Sequence, residues 1–186
     1  MTTALPTLRV RQATEADTPA VSAVLVEAAH WIASSGAPMW KAGELSADRI
    51  ADDVRAGLFF VADRDGEVQG TLKFELTDPR FWPDRPDGES AFVHRLAVRR
   101  AAAGTGVSFV LLEWARQQTA ALGRPFLRLD CEASRAKLRQ LYERFGFEYH
   151  TDWWYGPYRV ARYQLAVNPR DAQVVSSDPP RGDAAT

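Results

Sequence analysis

Two glycines stand where an apolar strand pattern gives way to a helical one. Gly104 and Gly106 follow residues 92–98, an apolar run that predicts a buried strand, and they precede a helical face that includes Val107 and Leu111. The N–H groups of such a turn lack intrahelical partners, and the helix dipole favours negative charge beside them. The spacing therefore predicts either a phosphate-binding turn or a tight turn between two core elements.

Other common catalytic and nucleotide-binding motifs are missing. The sequence contains neither G-x-G-x-x-G nor G-x-x-x-x-G-K-[ST], which disfavours a dinucleotide fold and a Walker-type site. It has no G-x-S-x-G elbow, and its single cysteine, Cys131, lies in an apolar run that predicts a buried strand. Cys131 is either a nucleophile or an inert core thiol, and burial favours the second. One cysteine excludes an internal disulfide and a cysteine-built zinc site, and we expect no metal.

Hydrophobic periodicity and turn residues assign the other elements. Pro19 suits the start of a helix after Thr18, Ser46 is a helix cap, and Asp63 to Gly66 is a hairpin turn signal. The predicted order is a strand, two helices, three strands, a helix, a strand, a helix and two strands, which is a mixed α/β layout. We expect one domain over residues 1–167 and a tail over residues 168–186, which are rich in Pro, Ser and Asp.

Composition is that of an ordinary globular protein. The 186 residues include 46% hydrophobic and 25% charged residues, and the formal net charge is −1. This balance gives no reason to expect binding to nucleic acid or to a membrane surface. The N-terminus lacks the pattern of a signal peptide, and no apolar run approaches the roughly 20 residues that span a bilayer. We therefore expect a cytoplasmic protein.

Two segments resemble the acyl-CoA-binding motifs of the GNAT acetyltransferase superfamily. Residues 96–108, LAVRRAAAGTGVS, resemble a strand followed by (Q/R)-G-x-G-x-(G/A) and a helix. Residues 127–131 resemble the next strand, and LYERFGF at 141–147 resembles the Y-E-(K/R)-x-G-F ending of the next helix. The resemblance covers residues 92–147. It implies a mostly antiparallel sheet of about seven strands flanked by four helices, with a splay between strands 4 and 5 that admits acyl-CoA.

The resemblance also implies acetyl-CoA as co-substrate, held chiefly by the glycine turn. Ala103 stands where the family has Gln or Arg, so either one phosphate contact is missing or Arg99 or Arg100 supplies it. Arg135 stands where the next helix often begins with Asn. The implied cofactor-binding residues are Leu96, Ala97, Val98, Arg99, Arg100, Ala103, Gly104, Thr105, Gly106, Val107, Ser108 and Arg135.

By the same resemblance, the protein would acetylate a primary amine by direct attack in a ternary complex. Tyr142 would protonate the leaving thiolate, whereas its position alone, without the resemblance, favours a core tyrosine. His94, on the cofactor strand where some relatives carry Glu, is the candidate base or else a packed strand histidine. Glu75 and Glu89 are alternatives that act through water. The rival interpretations are a silent acyl-CoA-binding or regulatory module and a different nucleotide binder.

The tryptophans suggest where an acceptor would bind. The chain has six, and Trp31 and Trp114 fall on helices, where we expect them to be core residues. Trp40, Trp82, Trp153, Trp154 and Tyr155 fall in loops or at strand ends. They would line an acceptor pocket, with Glu75 and chiefly Trp40, Trp82 and Trp153 as acceptor contacts, and the alternative is that the aromatic residues seal a homodimer interface. The sequence leaves open whether the acceptor is a small-molecule or a peptide amine.

Overall fold

The computed structural model describes residues 8–33 and 42–172, which form one seven-stranded sheet with helices on both faces. The strands are β1 (Leu8–Gln12), β2 (Phe59–Arg64), β3 (Glu67–Glu75), β4 (Ser90–Val98), β5 (Phe126–Glu132), β6 (Glu148–Tyr155) and β7 (Tyr158–Ala166). The helices are α1 (Thr18–Ala33), α2 (Ala47–Arg55), α3 (Val107–Ala121) and α4 (Ala136–Phe145).

The sheet is mixed but mostly antiparallel, as the sequence predicts. Its strands lie in the order β1-β2-β3-β4-β5-β7-β6, and β4 and β5 are the parallel neighbours. The predicted fold class and order of elements are therefore confirmed. Trp40 and residues 173–186 lie outside the described residues, and the division into a domain and a tail stays a prediction. None of the described helices combines the length and the apolar character that crossing a bilayer requires.

Local signals in the sequence explain several element boundaries. Ser46 is the N-cap residue of α2, which buries Ile50 and Val54. Asp65 and Gly66 form the β2–β3 turn with φ of 55° and 85°, a left-handed conformation that Asp tolerates and Gly favours. Gly146 ends α4 with φ of 115°, as expected of a glycine C-cap.

The sheet separates two hydrophobic clusters. The cluster on the α3 and α4 side includes Leu111 and Leu127, both fully buried. The cluster on the α1 and α2 side includes Leu25, Ile50 and Phe59, also fully buried. Each face of the sheet therefore has its own core.

The parallel pairing of β4 with β5 ends halfway along both strands. The paired residues run from Ser90 with Phe126 to Val93 with Leu129. A bulge follows in β4, where Arg95 has φ of 51° and the register against β3 shifts. A bulge bends its strand and disrupts the local ladder. The predicted splay between strands 4 and 5 is thus confirmed, and it opens from residues 94 and 130 onward.

Candidate active site

The turn between β4 and α3 presents a group of unpaired amides. Gly104 and Gly106 have φ of 77° and 89°, and no protein atom lies within 4 Å of the place where a Cβ would stand on either residue. Within the described chain, no hydrogen-bond acceptor is found for the N–H groups of Gly104, Gly106, Val107 and Ser108. These four donors surround the N-terminus of a 15-residue helix, which is the chemistry of a phosphate-binding site.

Close packing fixes the start of α3 over the sheet. A Cβ on Gly70 of β3 would lie 2.9 Å from the Ala97 carbonyl oxygen and 3.0 Å from Cγ1 of Val107, so only glycine fits there. Val107 itself is buried at 1% exposure, and its side chain therefore contacts the core while its N–H remains available. The start of α3 is consequently packed against β3, the antiparallel neighbour of β4.

The two arginines before the turn are engaged on the α1 side. Arg99 pairs with Glu27 at 3.5 Å and donates from Nε to the Val68 carbonyl at 3.0 Å. The Arg100 guanidinium lies 4.4 Å from the centre of the Trp31 ring, and the Arg100 N–H donates to Glu27 at 2.8 Å. These contacts do not support the expectation that either guanidinium replaces the missing phosphate contact. Trp31 is 44% exposed, so its prediction as a core residue is wrong.

Tyr142 lies on the face of the sheet that carries α3 and α4. It is 5% exposed, and its ring centre lies 6.0 Å from those of Phe147 and Tyr163. Among the described residues, none forms a hydrogen bond with its hydroxyl group. Burial raises the pKa of Tyr142 well above its usual value of 10, so the hydroxyl stays protonated at neutral pH. The prediction that Tyr142 points into the core is confirmed, and its hydroxyl remains available as a donor.

His94 and two aspartates meet on the opposite face of the sheet. His94 Nε2 lies 3.4 Å from Oδ2 of Asp78, in the loop after β3, and 3.7 Å from Oε2 of Glu75. One carboxylate oxygen of Asp78, one of Asp130 and one ring nitrogen of His94 all lie within 4.8 Å of one another. Burial raises the pKa of Asp130 to about 6, although the nearby imidazole of His94 acts in the other direction. These residues can bind a cation or accept a proton.

The two glutamates that the sequence offers as alternative bases differ in their surroundings. Glu75 binds Lys73 through Oε1 at 3.0 Å and keeps Oε2 near His94. Glu89 is held by the buried guanidinium of Arg128, with contacts of 3.1 Å and 3.3 Å to its two oxygens. Glu75 therefore adjoins the candidate base, whereas Glu89 serves to neutralise a buried arginine.

The aromatic residues occupy different places from those that the sequence suggests. Trp82 is 2% exposed and packs between Arg162, at 4.6 Å from its ring, and Arg128, at 5.2 Å, so its expected place in an open pocket is wrong. A tryptophan in a Pro-rich loop can be buried because the loop folds back over polar residues of β5 and β7. Trp153 on β6 is partly buried, with Arg162 5.0 Å from its ring.

The structure agrees with the expectations for Trp114 and Cys131. Trp114 packs against Phe60, with ring centres 4.0 Å apart, as predicted for a core residue. Cys131 is buried, and this burial raises the pKa of its thiol to about 12, so it has the character of an inert core thiol. Trp154 and Tyr155 are 64% and 43% exposed at the end of the β6–β7 hairpin.

Comparison with known proteins decides the family. Residues 25–147 match the family model described as Acetyltransferase (GNAT) family. This chain belongs to the GNAT acetyltransferase family. Over 140 residues it is 31% identical to YesJ of Bacillus subtilis strain 168, an uncharacterized N-acetyltransferase, and the match covers 72% of this chain and 77% of YesJ.

Solved structures of other acetyltransferases share the fold. The PaiA N-acetyltransferase from Thermoplasma acidophilum, in complex with coenzyme A, matches with a TM-score of 0.69 at 14% identity, covering 86% of this chain and 99% of that one. YncA from Salmonella typhimurium, with its cofactor acetyl-CoA, matches with a TM-score of 0.67 at 18% identity, covering 87% and 95%. At these identities the likeness concerns the fold alone.

Asp78 and Asp130 of this GNAT acetyltransferase are candidate site residues that sequence reasoning missed. Asp130 lies in the run Leu127–Cys131, in which apolar residues alternate with Arg128 and Asp130. Such alternation places both charged residues on one face of a central strand, and a buried charge without a partner is costly. That pattern could have indicated a functional residue, whereas nothing in the loop sequence distinguishes Asp78 from its neighbours.

Proposed function

We propose that this protein transfers the acetyl group of acetyl-CoA to a primary amine, by direct attack within a ternary complex. Support comes chiefly from the gap between β4 and β5, which connects the face of the sheet with Tyr142 to the face with His94 and Asp130. A pantetheine arm in this gap would bring its thioester between a proton donor and a proton acceptor. The acetyl-CoA and coenzyme A of the structural relatives are consistent with this cofactor.

The cofactor would bind along β4 and at the start of α3. Its pyrophosphate would accept hydrogen bonds from the N–H groups of Gly104, Gly106, Val107 and Ser108. Its arm would follow residues 96–98, where the edge of β4 facing β5 is unpaired. A backbone N–H of that segment would stabilise the oxyanion of the tetrahedral intermediate. Arg135, at the N-cap of α4, is a further predicted contact.

Two side chains would carry the proton transfers. A neutral amine is needed for attack, and an alkylammonium such as that of lysine has a pKa of roughly 10.4, so a base must remove a proton. His94 would do so, with Asp78 and Glu75 stabilising the imidazolium through their carboxylates at 3.4 Å and 3.7 Å. Tyr142 would donate its proton to the departing thiolate from the other face.

The acceptor would approach on the face that carries His94. Glu75 and Trp153 are the predicted acceptor contacts that this face leaves partly exposed, while Trp82 would act by supporting the loop around Asp78. A small-molecule amine and a peptide amine both remain candidates. A cytoplasmic location and a homodimer likewise stay predictions.

An amine panel tests this function directly. Purified protein is incubated with acetyl-CoA and each of a set of alkylamines, amino acids and peptides, and release of free coenzyme A thiol is measured. We expect thiol release that depends on both the amine and the protein. Tight acetyl-CoA binding without thiol release for any amine would instead favour a silent acyl-CoA-binding module.

A further inference from the structure

Three hydrogen-bond acceptors converge beside the gap between β4 and β5. They belong to Asp78, His94 and Asp130, and the acceptor atoms all lie within 4.8 Å of one another. The three residues come from a loop and two different strands, so the arrangement depends on the folded chain. A protonated primary amine carries three N–H donors at tetrahedral angles. The acceptor atoms are at most 4.8 Å apart, and His94 Nε2 lies 3.4 Å from Asp78 Oδ2, so one nitrogen atom can lie at about 2.8 Å from all three.

Among residues 8–33 and 42–172, neither aspartate has an arginine or lysine partner, and His94 is the imidazole beside Asp78. Asp78 Oδ2 and Asp130 Oδ1 are buried and have no hydrogen bond, and the Asp78 side chain is only 4% exposed. Oδ1 of Asp78 already accepts from the N–H groups of Arg80 and Phe81, so the free Oδ2 is held in a fixed direction. Buried charged oxygens without donors are strongly unfavourable and therefore indicate a missing ligand.

The nearby cations are committed elsewhere. Arg162 binds Asp84 at 2.7 Å, and Lys73 binds Glu75 at 3.0 Å and Asp53 at 3.2 Å. Within residues 8–33 and 42–172, no arginine or lysine forms an ion pair with Asp78 or Asp130. The negative charge of the two aspartates is consequently left for an external cation to neutralise.

We infer that Asp78, His94 and Asp130 form a subsite for the ammonium group of an aliphatic amine, which makes a cationic alkylamine the acceptor class of this protein. The inference rests on the proposed acetyl transfer for its biological meaning. Asp78 and Asp130 each accept one N–H bond, and His94 accepts the third through a ring nitrogen. Transfer of that third proton to His94 breaks one ammonium N–H bond and leaves a neutral amine at the gap. Aromatic amines, which are uncharged at neutral pH, would lose the two ionic contacts.

Equilibrium binding tests the subsite without relying on turnover. The probes are benzylammonium chloride and benzyl alcohol, which have similar shape but differ in charge, and each is titrated into the full-length protein saturated with coenzyme A. We expect the wild-type protein to bind the ammonium at least about tenfold more tightly than the alcohol. Asp130→Asn and Asp78→Asn should each reduce that ratio to about two or less. Asp65→Asn, in the exposed β2–β3 turn, is the matched control and should retain the ratio.

Several results would overturn the inference. Equal affinity of the wild-type protein for the two probes would do so, as would a ratio that both Asn variants retain. Zinc or manganese chloride, titrated alone, provides a further arm: micromolar binding that is lost in Asp130→Asn and competes with benzylammonium would make the cluster a metal site. The proposed function fails separately, through absence of thiol release with every amine, because the probe ratio does not depend on catalysis.

Discussion

His94 on β4 and Asp130 on β5 are opposite one another at the first step beyond the last paired residues of these parallel strands. The sheet therefore opens at the position where two proton-accepting side chains come together. Tyr142 approaches the same region from the other face of the sheet. In the proposed reaction, the amine is deprotonated on one side of the thioester and the thiolate is protonated on the other, without a covalent intermediate on the protein.

Replacement of His94 by Gln should slow acetyl transfer by about 10²-fold or more in kcat/KM, because the amine loses its general base. The pH profile of kcat/KM should lose one ionisation on its acid limb. His30→Gln, at an exposed position of α1, is the matched control and should keep the wild-type profile. An unchanged acid limb in His94→Gln would transfer the role to Glu75 or to water.

Tyr142→Phe should lower kcat by at least about tenfold while affinity for acetyl-CoA changes little, because only the proton donor is removed. Little loss of stability is expected, since the hydroxyl has no hydrogen-bond partner among the described residues. Tyr163→Phe is a matched control: its hydroxyl donates to Glu143 and accepts from Arg139, both at 2.8 Å. That variant should lose stability and keep kcat. Wild-type kcat in Tyr142→Phe, with chemistry rate-limiting, would remove Tyr142 from the mechanism.

Gly106→Glu should weaken coenzyme A binding by at least about tenfold, since it brings a negative charge and a side chain to the proposed phosphate cradle. Gly88→Glu is the control for backbone strain. Gly88 also has a left-handed φ, 85° against 89° for Gly106, and also has open space around its Cβ position. Calorimetry on both variants separates the two effects: equal losses of affinity would show that strain, rather than the cradle, is responsible.

The glycine turn and the Tyr142 helix could be predicted from the sequence because their signals are local. Gly104, Gly106 and Gly146 each adopt the left-handed φ that their motif requires. The Asp78 side of the site could not be predicted in this way. A loop residue is brought against β4 and β5 only by tertiary packing, and no periodicity records that contact.

Burial of the tryptophans likewise could not be predicted from local sequence signals. Trp82 lies in a loop but is buried, because its ring packs against the guanidinium groups of Arg128 on β5 and Arg162 on β7. Trp31 lies on a helix but is exposed, and the Arg100 guanidinium lies over its ring. Helix or loop assignment alone therefore does not decide whether an aromatic side chain is core.

Trp82 and Trp153 should respond differently to truncation. Trp82→Ala removes a nearly fully buried ring and should lower the free energy of unfolding by about 3–5 kcal/mol. Trp153→Ala removes a partly exposed ring and should mainly raise the KM for the acceptor, with a smaller loss of stability. Urea unfolding and acceptor kinetics on both variants measure this. An unchanged acceptor KM in folded Trp153→Ala would exclude Trp153 from the acceptor pocket.

Asp130→Asn should make the protein more stable at neutral pH. Burial raises the pKa of Asp130 to about 6 from an ordinary value of 3.8, while His94 and Arg162 lower it and Asp78 raises it. The folded state thus holds a proton that the unfolded chain releases, and the stability of the wild-type protein falls as pH rises through about 4 to 6. This difference in pKa lowers the free energy of unfolding of the wild type by about 3 kcal/mol once Asp130 has ionised. The Asn variant avoids this loss because Asn does not ionise.

The measurement is the free energy of unfolding of wild type and Asp130→Asn from pH 4 to pH 8. Carboxylates that do not interact with Asp130 are common to both proteins, so their contributions cancel in the difference. That difference should be small near pH 4, grow through pH 6 and level off above it, in favour of the variant. Asp65→Asn, at an exposed position, is the control for removing one carboxylate elsewhere. A variant that is less stable than wild type at pH 7 would mean that Asp130 is a structural ion rather than an unpaired charge retained for acceptor binding.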